Sequence, residues 1–118
     1  MLEIKNLTKT YPNGKKAVSN LSMTIEDGDL FGFIGKNGAG KTTTLKACLT
    51  IHDFDSGDIL LNGISIKTAP TECKRKMAYV PDSPILETYL TGLQYLNFIC
   101  DIYGVPTHTR KKRIYDLY

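Results

Sequence analysis

The sequence has no run of about 18 apolar residues, so no transmembrane helix is expected. Its first residues, Met1-Leu2-Glu3-Ile4-Lys5, lack the long apolar segment of a secretory signal, and the chain is expected to stay in the cytosol. Cysteine is scarce: Cys48, Cys73 and Cys100 are odd in number, far apart and form no CxxC. They read as buried reduced thiols rather than disulfide partners or metal ligands. His52 and His108 have no neighbour at metal-ligand spacing and read as surface or boundary residues. Internal repeats, low-complexity tracts and evident linkers are also missing. What remains is ordinary globular material, 42% hydrophobic and 23% charged over 118 residues, enough for one small domain with a core. The net charge of +3 permits an anionic ligand without requiring nucleic acid.

Periodicity and turn chemistry divide the chain. Leu2, Ile4, Leu7 and Tyr11 lie on an extended segment stopped by Pro12-Asn13-Gly14. Val18, Leu21, Met23 and Ile25 predict a second strand, spaced by two with one irregularity, and Glu26-Asp27-Gly28-Asp29 reads as a hairpin turn. Residues 30–34 (Leu-Phe-Gly-Phe-Ile) form a short apolar run suited to a buried strand, which feeds a glycine-rich loop. A helix is expected from Lys41 to about Leu49, with Leu45, Cys48 and Leu49 on one face. Asp55-Ser56-Gly57 reads as a turn, and Asn62-Gly63 joins two short strands as a two-residue hairpin. A short helix over 70–76 and a buried strand over 77–80, stopped by Pro81, follow. Thr91 and Gln94 fit a capping box that opens a helix bearing Leu93, Leu96, Cys100 and Tyr103. Gly104 and Pro106 end it, and Thr107 opens another. Antiparallel hairpins followed by strand, loop and helix predict an α/β architecture with an antiparallel edge.

The chemistry concentrates in Gly35-Lys36-Asn37-Gly38-Ala39-Gly40-Lys41-Thr42, which matches GxxxxGK[ST] at every specified position, between an apolar strand and a helix. Gly38 and Gly40 permit backbone angles that let successive N–H groups converge on one anion. The helix beginning near Lys41 presents its positive end to that anion. The Lys41 ammonium suits β- and γ-phosphate oxygens, the Thr42 hydroxyl suits Mg²⁺, and Thr43 is placed to donate to a neighbouring phosphate. The bland alternative, a glycine-rich turn that binds nothing, requires a chance match in the correct structural context.

The loop with its following threonine, through Thr43, resembles the Walker A loop of ABC transporter ATPases. Leu2-Glu3-Ile4-Lys5-Asn6-Leu7-Thr8-Lys9-Thr10-Tyr11 and Lys16-Ala17-Val18 upstream resemble that family too, as do Ser56-Gly57-Asp58-Ile59 and Asn62-Gly63 downstream. Tyr79-Val80-Pro81-Asp82 and Leu90-Thr91-Gly92 look most like the ATPase subunits of bacterial drug and peptide exporters. The resemblance implies a P-loop NTPase fold of the ABC ATPase type, with residues 1–88 as the front of the ATP-binding core and 89–118 beginning a helical subdomain. It implies that Tyr11 stacks on adenine through its ring face, where the residue alone reads rather as a tyrosine packed at a strand end. Val18 would form an apolar wall beside the base or ribose. Asp82 stands where the family usually has a glutamine; a carboxylate there can ligate Mg²⁺ or hold an attacking water, and otherwise reads as a solvated turn residue.

The implied activity is Mg-ATP binding and hydrolysis that powers a membrane permease, with a second ATP-binding domain, identical or different, completing each site. The expected location is the inner face of the cell membrane, with residues 79–96 toward the permease. The signature loop, the Walker B strand, the D-loop and the switch histidine of the family do not occur in these 118 residues. The chain is therefore expected to be the front portion of a longer ATPase domain, and by itself to bind nucleotide without turning it over. A nucleotide-binding module without catalysis and an ABC protein acting on ribosomes or DNA are the competing classes. Arg110-Lys111-Lys112-Arg113 reads as a solvated helix face, and no nucleic acid is expected as a partner because no aromatic platform interleaves it.

Overall fold

The computed structural model describes residues 1–83 and 89–117, which separate into two units, Met1–Tyr79 and Val80–Tyr118. The expected boundary between residues 88 and 89 falls at the edge of a segment, 84–88, that lies outside the described residues, as does position 118.

In the first unit, β1 (Leu2–Thr10) and β2 (Lys16–Ile25) form a hairpin around Pro12-Asn13-Gly14. Strands β3 (Ser56–Leu61) and β4 (Ile64–Ser65) extend it to a four-stranded antiparallel sheet in the order β2-β1-β3-β4. The irregular spacing of β2 has a structural cause. Asn20 on β2 and Asn6 on β1 take positive φ of 51° and 52°, and the register between the strands shifts around them. Each bulge frees backbone donors, and hydroxyls accept them. Asn6 N donates to Ser22 Oγ at 2.8 Å, and Asn20 N donates to Thr8 Oγ1 at 3.0 Å. The shift lets Ile4 and Leu7, an odd number of residues apart, both face the core. Asn62 and Gly63, with φ of 50° and 78°, form the expected two-residue turn between β3 and β4. β3 begins at Ser56, so the Asp55-Ser56-Gly57 turn is largely strand.

Helix α1 (Lys41–Cys48) packs on this sheet through Thr44, Ala47 and Cys48. The expected face of Leu45, Cys48 and Leu49 is thus rotated; Leu45 is exposed. Ile4, Leu7, Val18, Ala47, Cys48, Ile59, Ile66 and Cys73 make one core, the last from α2 (Pro70–Arg75), where Pro70 occupies the first turn. Burial pushes the Cys48 thiol pKa up to about 11. All three cysteines are free, but Cys100 is only partly buried.

Two expected strands do not form. Residues 30–34 lack strand pairing, and Leu30 and Ile34 stand almost fully exposed. Residues 77–80 are likewise unpaired, with Val80 exposed. Both carry the apolar pattern of central strands, yet no described strand supplies their ladder partners, and an apolar run without ladder partners has no sheet to enter.

In the second unit, α3 (Gly92–Ile102) opens on the expected capping box: Thr91 N donates to Gln94 Oε1 at 2.8 Å and Gln94 N to Thr91 Oγ1 at 3.3 Å. Helix α4 (Thr107–Leu117) follows the Gly104–Pro106 break. Arg110 is not merely a solvated member of the basic run. Its Nε donates to Val105 O at 2.7 Å and its guanidinium pairs with Asp101 at 2.6 Å, tying α4 to the end of α3.

Candidate functional site

The glycine-rich loop turns from the unpaired 30–34 segment into α1. Its geometry follows from two glycines. Gly38 and Gly40 have φ of 84° and 91°, the left-handed region that side chains disfavour. Gly40 is also the N-cap of α1 and is buried; a methyl group there would collide with the Ala17 carbonyl oxygen and reach Val18 Cγ2 at 3.2 Å. The loop is therefore seated directly on β2. By contrast, a methyl at Gly38 would meet only the Lys15 ammonium, at 3.8 Å. Ala39 N donates to Lys36 O at 3.1 Å, closing a tight turn, and Thr44 Oγ1 donates to Gly40 O at 2.8 Å, closing the first turn of the helix.

Lys41 curls back over this loop. Its ammonium donates to Lys36 O at 2.9 Å and to Gly35 O, so the cation sits against the loop backbone. No acidic residue occupies the first turn of α1, and nothing there neutralises Lys41 or the helix's positive end. Beside the loop lies a cavity of about 240 Å³ whose lining includes Ala17, Val18, Phe33, Ile34, Ala39 and Lys41. Val18 contributes to that wall while staying almost wholly within the core. Gly35, Lys36, Asn37 and Thr42 are exposed.

Tyr11 ends the extended segment before the β1–β2 turn. Its N–H donates to Lys15 O and its carbonyl accepts from Gly14 N, both at 2.9 Å. Its hydroxyl shares a hydrogen bond of 3.1 Å with Thr43 Oγ1 on α1, in which either group can donate. Tyr11, Val18 and residues 35–43 therefore gather in the first unit. Asp82 belongs to the second unit, exposed in the bend after Pro81.

Sequence reasoning missed three contributors: the Ala17 carbonyl that fixes Gly40, Thr44 that locks the helix start, and Lys15 above Gly38. None belongs to the GxxxxGK[ST] pattern, and no spacing rule singles them out. For a divalent ion, the described residues offer no group of three or more His, Cys, Asp or Glu side chains. The exposed Thr42 hydroxyl beside an anion-attracting helix end fits Mg²⁺, which retains waters and takes few protein ligands.

The family model of ABC transporters matches residues 18–116. The ABC-type transporter ATP-binding protein EcsA of Bacillus subtilis is 33% identical over 114 residues, covering 97% of this chain and 46% of that protein. The SkfA peptide export ATP-binding protein SkfE of the same organism is 34% identical over 115 residues, covering 98% of this chain and 47% of that protein. The solved structure of an ATP-binding subunit of an ABC transporter superposes with a TM-score of 0.85 at 29% identity, covering 96% of this chain and 47% of the other. A dimeric bacterial ABC transporter cassette shares the fold with a TM-score of 0.83 at 24% identity, covering 98% of this chain and 55% of the cassette. The chain spans about half the length of EcsA and SkfE. A phosphate loop seated on an antiparallel sheet, the family match and the superposition agree: this chain belongs to the ABC transporter family, among its ATP-binding subunits.

Proposed function

We propose that this chain binds Mg-ATP at residues 35–43 as the nucleotide-binding part of a transporter ATPase. The observation that carries this reading is the Lys41 ammonium, held against the loop, among the described residues, by the carbonyls of Gly35 and Lys36, at the open end of a helix with no acid in its first turn. Carbonyls are neutral acceptors. A polyphosphate offers Lys41 anionic ones, which add direct Coulomb attraction to the hydrogen bonds. The backbone N–H groups of Gly38, Gly40 and Lys41 supply the remaining donors, that of Ala39 being bonded to Lys36 O. The Thr42 hydroxyl holds Mg²⁺, which when bound to the phosphates neutralises charge on their oxygens. Thr43 donates to an adjacent phosphate, Tyr11 stacks on the base, and Val18 backs it. Asp82 is proposed to hold water or Mg²⁺.

Binding is proposed without turnover for the 118-residue chain. Phosphoryl transfer is mainly positioning and charge stabilisation around an oriented water. The described residues lining the loop and its cavity include no carboxylate, and the sequence holds no Walker B acid pair or signature loop. Residues 1–88 are proposed as part of the ATP-binding core and 89–118 as part of a helical subdomain. In the whole protein, a second ATP-binding domain and a membrane permease are the proposed partners, at the inner face of the membrane. Residues 79–96 are proposed to approach the permease; of these, 84–88 lie outside the described residues.

Calorimetry with Mg-ATP on the wild type and Lys41→Ala tests the reading. Strong weakening by the substitution is expected; equal affinities overturn it.

A further inference from the structure

Stacking needs only the face of a ring, so an adenine-stacking residue has no use for a hydroxyl. Here the hydroxyl is engaged. Tyr11 Oη and Thr43 Oγ1 lie 3.1 Å apart in a partly buried contact between the β1–β2 turn and the first turn of α1. The other end of Tyr11 is fixed as well, because its backbone N–H and carbonyl are both bonded within the turn. The ring is therefore held at both ends, and its outer anchor is a residue of the phosphate-binding motif.

A threonine hydroxyl carries one donor and two acceptor lone pairs. Thr43 can accept the Tyr11 proton and still direct its own proton at a phosphate oxygen. We infer that Tyr11 and Thr43 form a positioning pair in which Tyr11 O–H donates to Thr43 Oγ1 while Thr43 donates to a phosphate, so that the base-stacking wall and the phosphate cradle are set in one geometry. The pair acts on ligands that carry both a base and a polyphosphate. This inference rests on the nucleotide-binding reading above.

The test is calorimetry with Mg-ATP and with Mg-tripolyphosphate, which has no base, on wild type, Tyr11→Phe, Thr43→Ser, Thr43→Val and the Tyr11→Phe/Thr43→Val double variant. Tyr11→Phe keeps the ring and removes one hydrogen bond. It is expected to weaken ATP roughly 2- to 10-fold and leave tripolyphosphate unchanged. Thr43→Val is expected to weaken both ligands, and adding Tyr11→Phe to it to cost nothing further for ATP. Thr43→Ser, which keeps the hydroxyl, is expected to behave as wild type in the ratio of the two affinities. That ratio separates positioning from a general loss of structure, which lowers both ligands together. If Thr43→Val does not fold, Tyr11→Phe and Thr43→Ser decide the matter between them. Tyr11→Phe binding ATP as tightly as wild type, or costing the same factor in both threonine and valine backgrounds, overturns the inference. Failure of the wild type to bind ATP overturns the nucleotide reading instead, so the two failures are distinguishable.

Discussion

Replacing Gly40 by alanine is expected to damage the fold and not only the loop. The perturbation is one methyl group. It meets two penalties. At φ 91° a Cβ is strained, which costs about 1–2 kcal/mol. The methyl also collides with the Ala17 carbonyl on β2 and crowds Val18 at 3.2 Å. Ala17 is strand backbone and cannot swing away as a side chain does, so overpacking of about 1–3 kcal/mol adds to the strain. The combined loss is about 3 kcal/mol, or roughly 10 to 20 °C in Tm for a domain of this size. Gly38→Ala is the control. Its φ of 84° imposes similar strain, but its methyl meets only the mobile end of Lys15 at 3.8 Å. Strain alone costs about 1–2 kcal/mol, roughly half the shift. Both variants are expected to lose ATP affinity, because both distort the amide nest. Thermal unfolding followed by circular dichroism, with calorimetric ATP binding on the same preparations, supplies the comparison. Equal Tm shifts for the two variants, or a smaller shift for Gly40→Ala, would refute the argument that the loop is seated on β2.

Cys48 gives a pH dependence. Its folded pKa, about 11, lies above the ordinary thiol value of 9.0, so the folded state keeps its proton where the unfolded chain has lost it. The stabilisation is complete below pH 9 and is lost as pH rises towards 11, on the order of 2 to 3 kcal/mol in all. Denaturant unfolding at pH 8 and pH 10.5 should show a steeper alkaline loss in the wild type than in Cys48→Ala; identical slopes would contradict it. In thiol labelling at neutral pH, Cys100 is expected to react before the buried Cys48 and Cys73, and the reverse order would argue against the packing described. Arg110→Leu removes the donors to Val105 O and Asp101, and is expected to loosen α4 by about 1 kcal/mol, read as faster amide exchange there with ATP affinity unchanged. The purified 118-residue chain under saturating Mg-ATP is expected to release no phosphate; steady release abolished by Lys41→Ala would reverse that expectation.

Features written in neighbouring residues were legible in the sequence. The phosphate loop, the Asn62-Gly63 turn, the capping box of Thr91 and Gln94 and the breaks at Pro12 and Gly104 depend on dihedral preferences and hydrogen bonds a few residues long. The uneven spacing of β2 signalled an irregularity in that strand, but not its place at Asn20 nor the second one at Asn6 on β1. Pairing is different, because a strand exists only against a neighbour. Residues 30–34 and 77–80 have central-strand composition, and only the tertiary structure decides that no described strand meets them. The face of α1 was rotated for the same reason: its burial is set by how Gly40 rests on Ala17, a contact between residues distant in sequence. The site divides along this line. Sequence named Lys41, Thr42 and Thr43 from motif spacing, whereas the bond from Tyr11 to Thr43 required the chain to fold back on itself.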